Sequence, residues 1–168
     1  MTLAPTLFPP ANFVGASPDI AMPKNLPTIL WTYGLVAFGG ALGTVMRFWL
    51  AGLVNDRSNG ALPWGQSFPW GTLLINISGS LAIGFFATLT EPGVGRWLVS
   101  TPGRQFFMIG ICGGFTTFSS FSRDTLNLAR NGDWLKVGTN VIGSVALCLL
   151  AVWLGHLLAQ AINSARGH

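Results

Sequence analysis

The stretch GICGGFTTFSSFSRD, residues 110–124, packs three Gly, two Thr, three Ser and three Phe into fifteen positions of a hydrophobic segment. Gly and β-branched Thr in succession weaken a helix, Gly through backbone entropy and Thr through lost rotamer freedom. In hydrocarbon, a broken helix survives only where protein or water takes up the backbone groups it frees. A hydrophobic segment interrupted by Gly-Gly-x-Thr-Thr therefore reads as an ion or substrate site inside a membrane.

The sequence on either side supports a membrane setting. Of 168 residues, 8% are charged and 50% hydrophobic, whereas soluble domains carry about 25% charge. Residues 28–55 hold Arg47 as their one charge, and 58–90, 105–122 and 137–165 hold no Asp, Glu, Lys or Arg. A membrane-crossing helix needs about 20 apolar residues. The expected fold is an all-α integral membrane protein with four transmembrane helices over 28–54, 69–88, 104–128 and 135–162, the third broken near 113–117. Residues 1–27 carry six of the ten prolines and no leader-like apolar run, so a flexible tail is expected ahead of a membrane domain at 28–163.

The sequence pI of 9.8 rests on nine scattered Lys and Arg. No basic run or RNA-binding aromatic motif accompanies them, so they read as cations flanking a bilayer and nucleic acid is not an expected partner. Cys112 and Cys148 fall within spans and belong to no Cys/His cluster, which argues against a disulfide framework or a zinc site. Neither His156 nor His168 has a carboxylate near it in sequence.

Several polar residues inside the spans need an account. Gly39, Gly43 and Arg47 recur every four residues on one face of the first span, and small residues at that spacing let helices approach closely. Arg47 lies deep enough that it either snorkels to the interface or lines an aqueous vestibule. Thr72, Asn76 and Ser80 share a face of the second span. The Asn76 amide serves either as an interhelical hydrogen bond or as a donor to a pore. Asn140, Ser144, Cys148 and His156 mark a weakly polar stripe on the fourth span, either a hydrophilic track or a helix interface. Phe118 and Phe121 share a face just past the break.

Carboxylates are nearly missing from the spans, with Asp124 the one acidic residue. Proton-coupled pumps and cation exporters place Asp or Glu in the membrane interior. Amides, hydroxyls and cations suit an anion instead. The positive edge of an aromatic ring adds a contact that does not trap the ion as a full charge would.

The motif at 110–121, GICGGFTTFSSF, closely resembles the signature of the Fluc (CrcB) family of fluoride channels. Gly39-x3-Gly43-x3-Arg47-Phe48 and Gly71-Thr72-x3-Asn76-x2-Gly79-x4-Gly84 resemble that family's first- and second-span motifs, in order and spacing. The likeness covers about residues 30–160. It implies an antiparallel, dual-topology homodimer in the cell inner membrane that exports fluoride passively and is not an enzyme. By position it places Asn76, Thr117, Phe118, Phe121, Ser144 and Arg47 on the fluoride pathway. It also implies a structural sodium ion at the dimer centre, held by the backbone carbonyls of Gly113 and Thr116. The sequence departs from the family pattern at Ser120, at Arg123-Asp124 and at Asn140. A small four-helix multidrug exporter is the rival class, but it is expected to carry a carboxylate in its first span, and none is present.

Overall fold

The computed structural model describes residues 25–58, 61–92, 95 and 97–165. Residues 1–24 of the tail expected at 1–27 lie outside the described residues, as do Arg96, Arg166 and His168. The chain is all-helical over what is described. Helix α1 runs Leu26–Ser58, α2 runs Trp70–Leu89, and a one-turn 3-10 helix at Gly65–Ser67 lies between them. Helix α3 joins Thr101–Gln105, a π-helical segment Phe106–Cys112 and a last α-turn Gly113–Phe115. After a two-residue gap, α4 runs Phe118–Arg130 and α5 runs Trp134–Ser164.

One boundary is corrected. The first helix is longer at both ends than 28–54, taking Leu26 and Pro27 from the expected tail. Among the described residues, three helices, α1, α2 and α5, are long and apolar enough to cross a membrane. The segment expected at 104–128 with a break is two helical pieces, ending at Phe115 and resuming at Phe118. The second of them, α4, has 13 residues, about 20 Å of helix, and carries Ser119, Ser120, Ser122, Arg123, Asp124 and Asn127.

Glycine decides how these helices pair. A Cβ on Gly39 would lie 2.7 Å from the Phe106 carbonyl oxygen and 3.1 Å from the Cα of Gly110. One on Gly43 would overlap the Ile111 carbonyl oxygen, and one on Gly114 would overlap that of Gly40. Helices α1 and α3 therefore meet backbone to backbone through two small-x3-small faces. The sequence left Gly39 and Gly43 open between packing and function, and packing accounts for both. On the other side, Gly84 of α2 meets the Val152 carbonyl and Gly155 of α5 meets that of Leu81, which locks α2 to α5.

The remaining connections are held by polar groups. Gly132, at φ 76°, ends α4 in a Schellman turn: its N–H donates to Ala129 and that of Asp133 to Leu128, both at 3.0 Å. Arg104, read from sequence as a flanking cation, is instead buried at 5% exposure. Its guanidinium donates to the carbonyls of Ala87 and Thr90, where α2 ends. A cation there complements the negative end of the helix dipole and satisfies carbonyls that have no helical donor.

Candidate functional site

The break lies at Thr116 and Thr117, narrower than the expected 113–117. Gly113 is helical, at φ −65° and ψ −38°, while Thr116 (ψ 156°) and Thr117 (φ −152°, ψ 115°) are extended. The glycines weaken the helix without departing from it. What opens it is a set of competing partners for the backbone. The Thr117 N–H, which an unbroken helix would direct to the Gly113 carbonyl, donates to Asn76 Oδ1 at 2.8 Å. Asn76 Nδ2 donates in turn to the Thr117 carbonyl at 3.2 Å. The Ser120 N–H, which would have closed on Thr116, donates to Thr117 Oγ1 at 3.1 Å. Thr117 is thus a side-chain N-cap for α4, and the carbonyls of Gly113 and Thr116 leave the i→i+4 ladder.

A cavity of about 350 Å³ opens beside this turn. Among its lining residues are Asn76 from α2, Gly113 and Thr116 from the end of α3, Thr117, Phe118 and Phe121 from the start of α4, and Ser144 from α5. The rings of Phe118 and Phe121 are 5.4 Å apart and tilted by 43°. Phe118 is 78% exposed in the single chain, its ring meeting that of Phe121 and leaving most of its surface uncovered. The structure therefore gathers on one cavity every site residue named from sequence except Arg47.

Arg47 lines a second cavity of about 800 Å³, with Asn55, Thr72, Ser120, Arg123 and Asp124 among its neighbours. Of the two readings of Arg47, the vestibule is the one this placement favours. The two cavities adjoin. Thr72 and Asn76 are one turn apart on α2, and Thr117 Oγ1 lies 3.2 Å from Ser120 Oγ. Asn76 makes the interhelical hydrogen bonds of the first of its two readings, and the residue also lines the cavity.

The fourth-span stripe divides by position. Asn140, 1% exposed, donates to Thr125 Oγ1 at 2.8 Å and ties α5 to α4. Ser144 and Cys148 face the first cavity. His156 sits 2.8 Å from Thr88 Oγ1, whose own proton is directed at the Gly84 carbonyl at 3.0 Å. The stripe is a helix interface that reaches the cavity at its middle. Sequence reasoning missed Thr125, and it missed the hydrogen bond from Thr72 to Asp124 Oδ2 at 2.7 Å. Thr72 stands one turn from Asn76 on the same face, a signal that could have paired it with α4. Met108 and Ile83 also line the cavity, and nothing in their residue types singles them out.

Such a chain is a small multi-pass membrane protein, with polar backbone gathered where its helix opens. Comparison with known proteins agrees. A family model described as CrcB-like protein, Camphor Resistance (CrcB), matches residues 34–156. A protein of Opitutus terrae named fluoride-specific ion channel FluC is 58% identical over 135 residues, covering 80% of this chain and 97% of its own. Proteins of the same name from Paramagnetospirillum magneticum and Rhodospirillum rubrum are 59% and 58% identical over 132 residues. Each of those matches covers 79% of this chain, and they cover 98% and 97% of the respective relatives. The chain belongs to the CrcB family.

Proposed function

We propose that the protein is a passive, fluoride-selective ion channel that lowers cytoplasmic fluoride, and that it is not an enzyme. The observation that carries this reading is the clamp of Asn76 on Thr117. It opens a helix beside a cavity bordered by amide, hydroxyl and aromatic groups and by no carboxylate. The N-terminus of α4 meets the cavity at Thr117 and Phe118, and its peptide dipoles put partial positive charge there. The relatives' shared name supports fluoride as the ion. An inside-negative potential drives an anion outward by about 2.3 kcal/mol per charge per 100 mV, so export needs no fuel.

On this reading, the two pieces α3 and α4 together make the third of four crossings, and the subunit pairs with a second copy as an antiparallel, dual-topology homodimer in the cell inner membrane. The sodium ion fits the residues at the break. Carbonyl oxygens are hard ligands suited to a hard cation, and the carbonyls of Gly113 and Thr116 are those released from the helical ladder. Two subunits would supply four such oxygens, and the bound ion would hold the two breaks together electrostatically. No group of three or more His, Cys, Asp or Glu suited to a metal exists among the described residues, which suits a backbone site.

Reconstituted protein in liposomes loaded with fluoride or chloride, followed by ion-selective electrodes, tests the function. Rapid fluoride efflux without comparable chloride efflux supports it, and equal fluxes or none reject it. Phe118→Ile and Phe121→Ile should each slow fluoride by about fivefold, the worth of roughly 1 kcal/mol of lost aromatic-edge contact, and leave assembly intact. Parent-like flux in either mutant removes that ring from the pathway.

Orientation has its own test. With both chain ends on one side, that side carries Lys24, Arg96, Arg104 and Arg166. The other carries Arg57, Arg130 and Lys136, with Arg123 at its boundary. A tally this even gives no preferred orientation under the positive-inside rule. Cytoplasmic and periplasmic reporters fused to the C-terminus should both be active at comparable levels. A signal from one side alone contradicts dual topology.

A further inference from the structure

The pair Arg123-Asp124, a departure from the family pattern, has no role in the pathway described so far, yet both residues line the second cavity with Arg47. Their side chains are placed unequally. Asp124 is 18% exposed and accepts a hydrogen bond from Thr72 Oγ1 at 2.7 Å, while Arg123 is 78% exposed and 3.8 Å from the same carboxyl group. The carboxylate is withdrawn toward α2 and the guanidinium is left exposed on the single chain. Two arginines against one carboxylate leave the cavity with one net positive charge. Nearby at the start of α5, Lys136 is neutralised by Asp133 at 2.9 Å and adds nothing to that balance.

We propose that Arg123 makes this cavity an anion-collecting mouth, which raises the local concentration of small monovalent anions at the entrance to the inner cavity. The inference rests on the fluoride-channel reading and adds a step to it. A concave wall carrying one sign of charge raises the arrival rate of the opposite ion. Because the contact is long-range and wet, it collects fluoride and chloride alike. Discrimination belongs deeper, at Asn76 and the phenylalanines, so Arg123 sets rate and leaves selectivity untouched.

Salt separates this role from a structural one. Screening extends over about 30 Å at 0.01 M ionic strength and about 3 Å at 1 M. Single-channel fluoride currents would be recorded at symmetrical fluoride, with ionic strength set by an impermeant gluconate salt. At about 0.01 M, Arg123→Gln should carry about half the parent current and Arg123→Glu about a quarter, as expected for a unit charge acting across about 10 Å of water. Arg123→Lys should match the parent. At about 1 M all four proteins should conduct equally, and fluoride-to-chloride selectivity should be unchanged throughout. Equal losses at both salt levels, or none at low salt, overturn the proposal while leaving the channel reading intact. A parent protein without fluoride current overturns that reading and the proposal with it.

Discussion

Asn76→Asp is expected to cut fluoride flux by at least about a hundredfold. The native amide meets the Thr117 backbone twice, accepting its N–H at 2.8 Å and donating to its carbonyl at 3.2 Å. A carboxylate keeps the first contact and turns the second into oxygen facing oxygen. An uncompensated buried carbonyl costs about 1–3 kcal/mol, and each 1.4 kcal/mol is a factor of ten in a rate. The substitution also places a negative charge on the cavity wall, where low dielectric amplifies its repulsion of an anion. Asn76→Ala separates the contributions, since it loses the clamp and adds no charge. Its flux should fall between those of the parent and the Asp variant. A parent-like fluoride rate for Asn76→Asp near neutral pH would remove Asn76 from the pathway.

Gly43→Val should prevent correct folding. Its Cβ would overlap the Ile111 carbonyl oxygen and lie 2.8 Å from the Phe115 nitrogen, and both are backbone atoms that cannot swing aside. Overpacking of this kind costs about 3 kcal/mol or more. Thermal unfolding in detergent should show a markedly lower Tm or no monodisperse protein. Gly113→Leu is the contrasting case. The nearest atom to a Cβ at Gly113 is the Met108 carbonyl oxygen, at 4.0 Å, and the residue's helical φ suits any side chain. The subunit should therefore fold, with helical circular dichroism like the parent's. It should run as a monomer without flux, because the added bulk would stand where the second copy is proposed to bind. A normal dimer with normal flux would contradict the placement of Gly113 at that contact.

Much of the architecture can be read from charge alone. The charge-free stretch at 137–165 locates α5 to within a few residues, and the stretch at 28–55, interrupted by Arg47 alone, does the same for α1. For α2 the charge-free stretch runs 58–90 and fixes the end, while the start at Trp70 is marked by Pro69. Exclusion from hydrocarbon acts on every charged side chain separately. The break is also legible, since Gly-Gly-x-Thr-Thr can hardly stay helical unaided. Its exact place is not. Glycine and threonine both weaken a helix, and only the arrival of Asn76 from another element decides that Thr117 leaves it. The same limit explains Arg104, whose partners are carbonyls that carry no trace in sequence. It explains Asn140 as well: the residue lies fifteen positions from Thr125, and the turn at Gly132 folds the two together. Residue type tells which groups need a partner, and the partner's identity waits on the fold.

The gap between α3 and α4 is held open by a side chain made 41 residues earlier. That has a consequence for how the protein is made. A translocon scanning for hydrophobicity meets α1, α2 and α5 as strong insertion signals, but α4 as a weak one, burdened by serines and an Arg-Asp pair. On the proposed reading, the weak segment would find its depth through a neighbour already in the bilayer. Asn76, made first, would then act as a template in the membrane, its amide matched to the Thr117 peptide unit it bonds in the folded chain. On the proposed reading, the last crossing to settle is the one that carries the ion. A chain defective in α2 would then fail in biogenesis, before conduction could be measured.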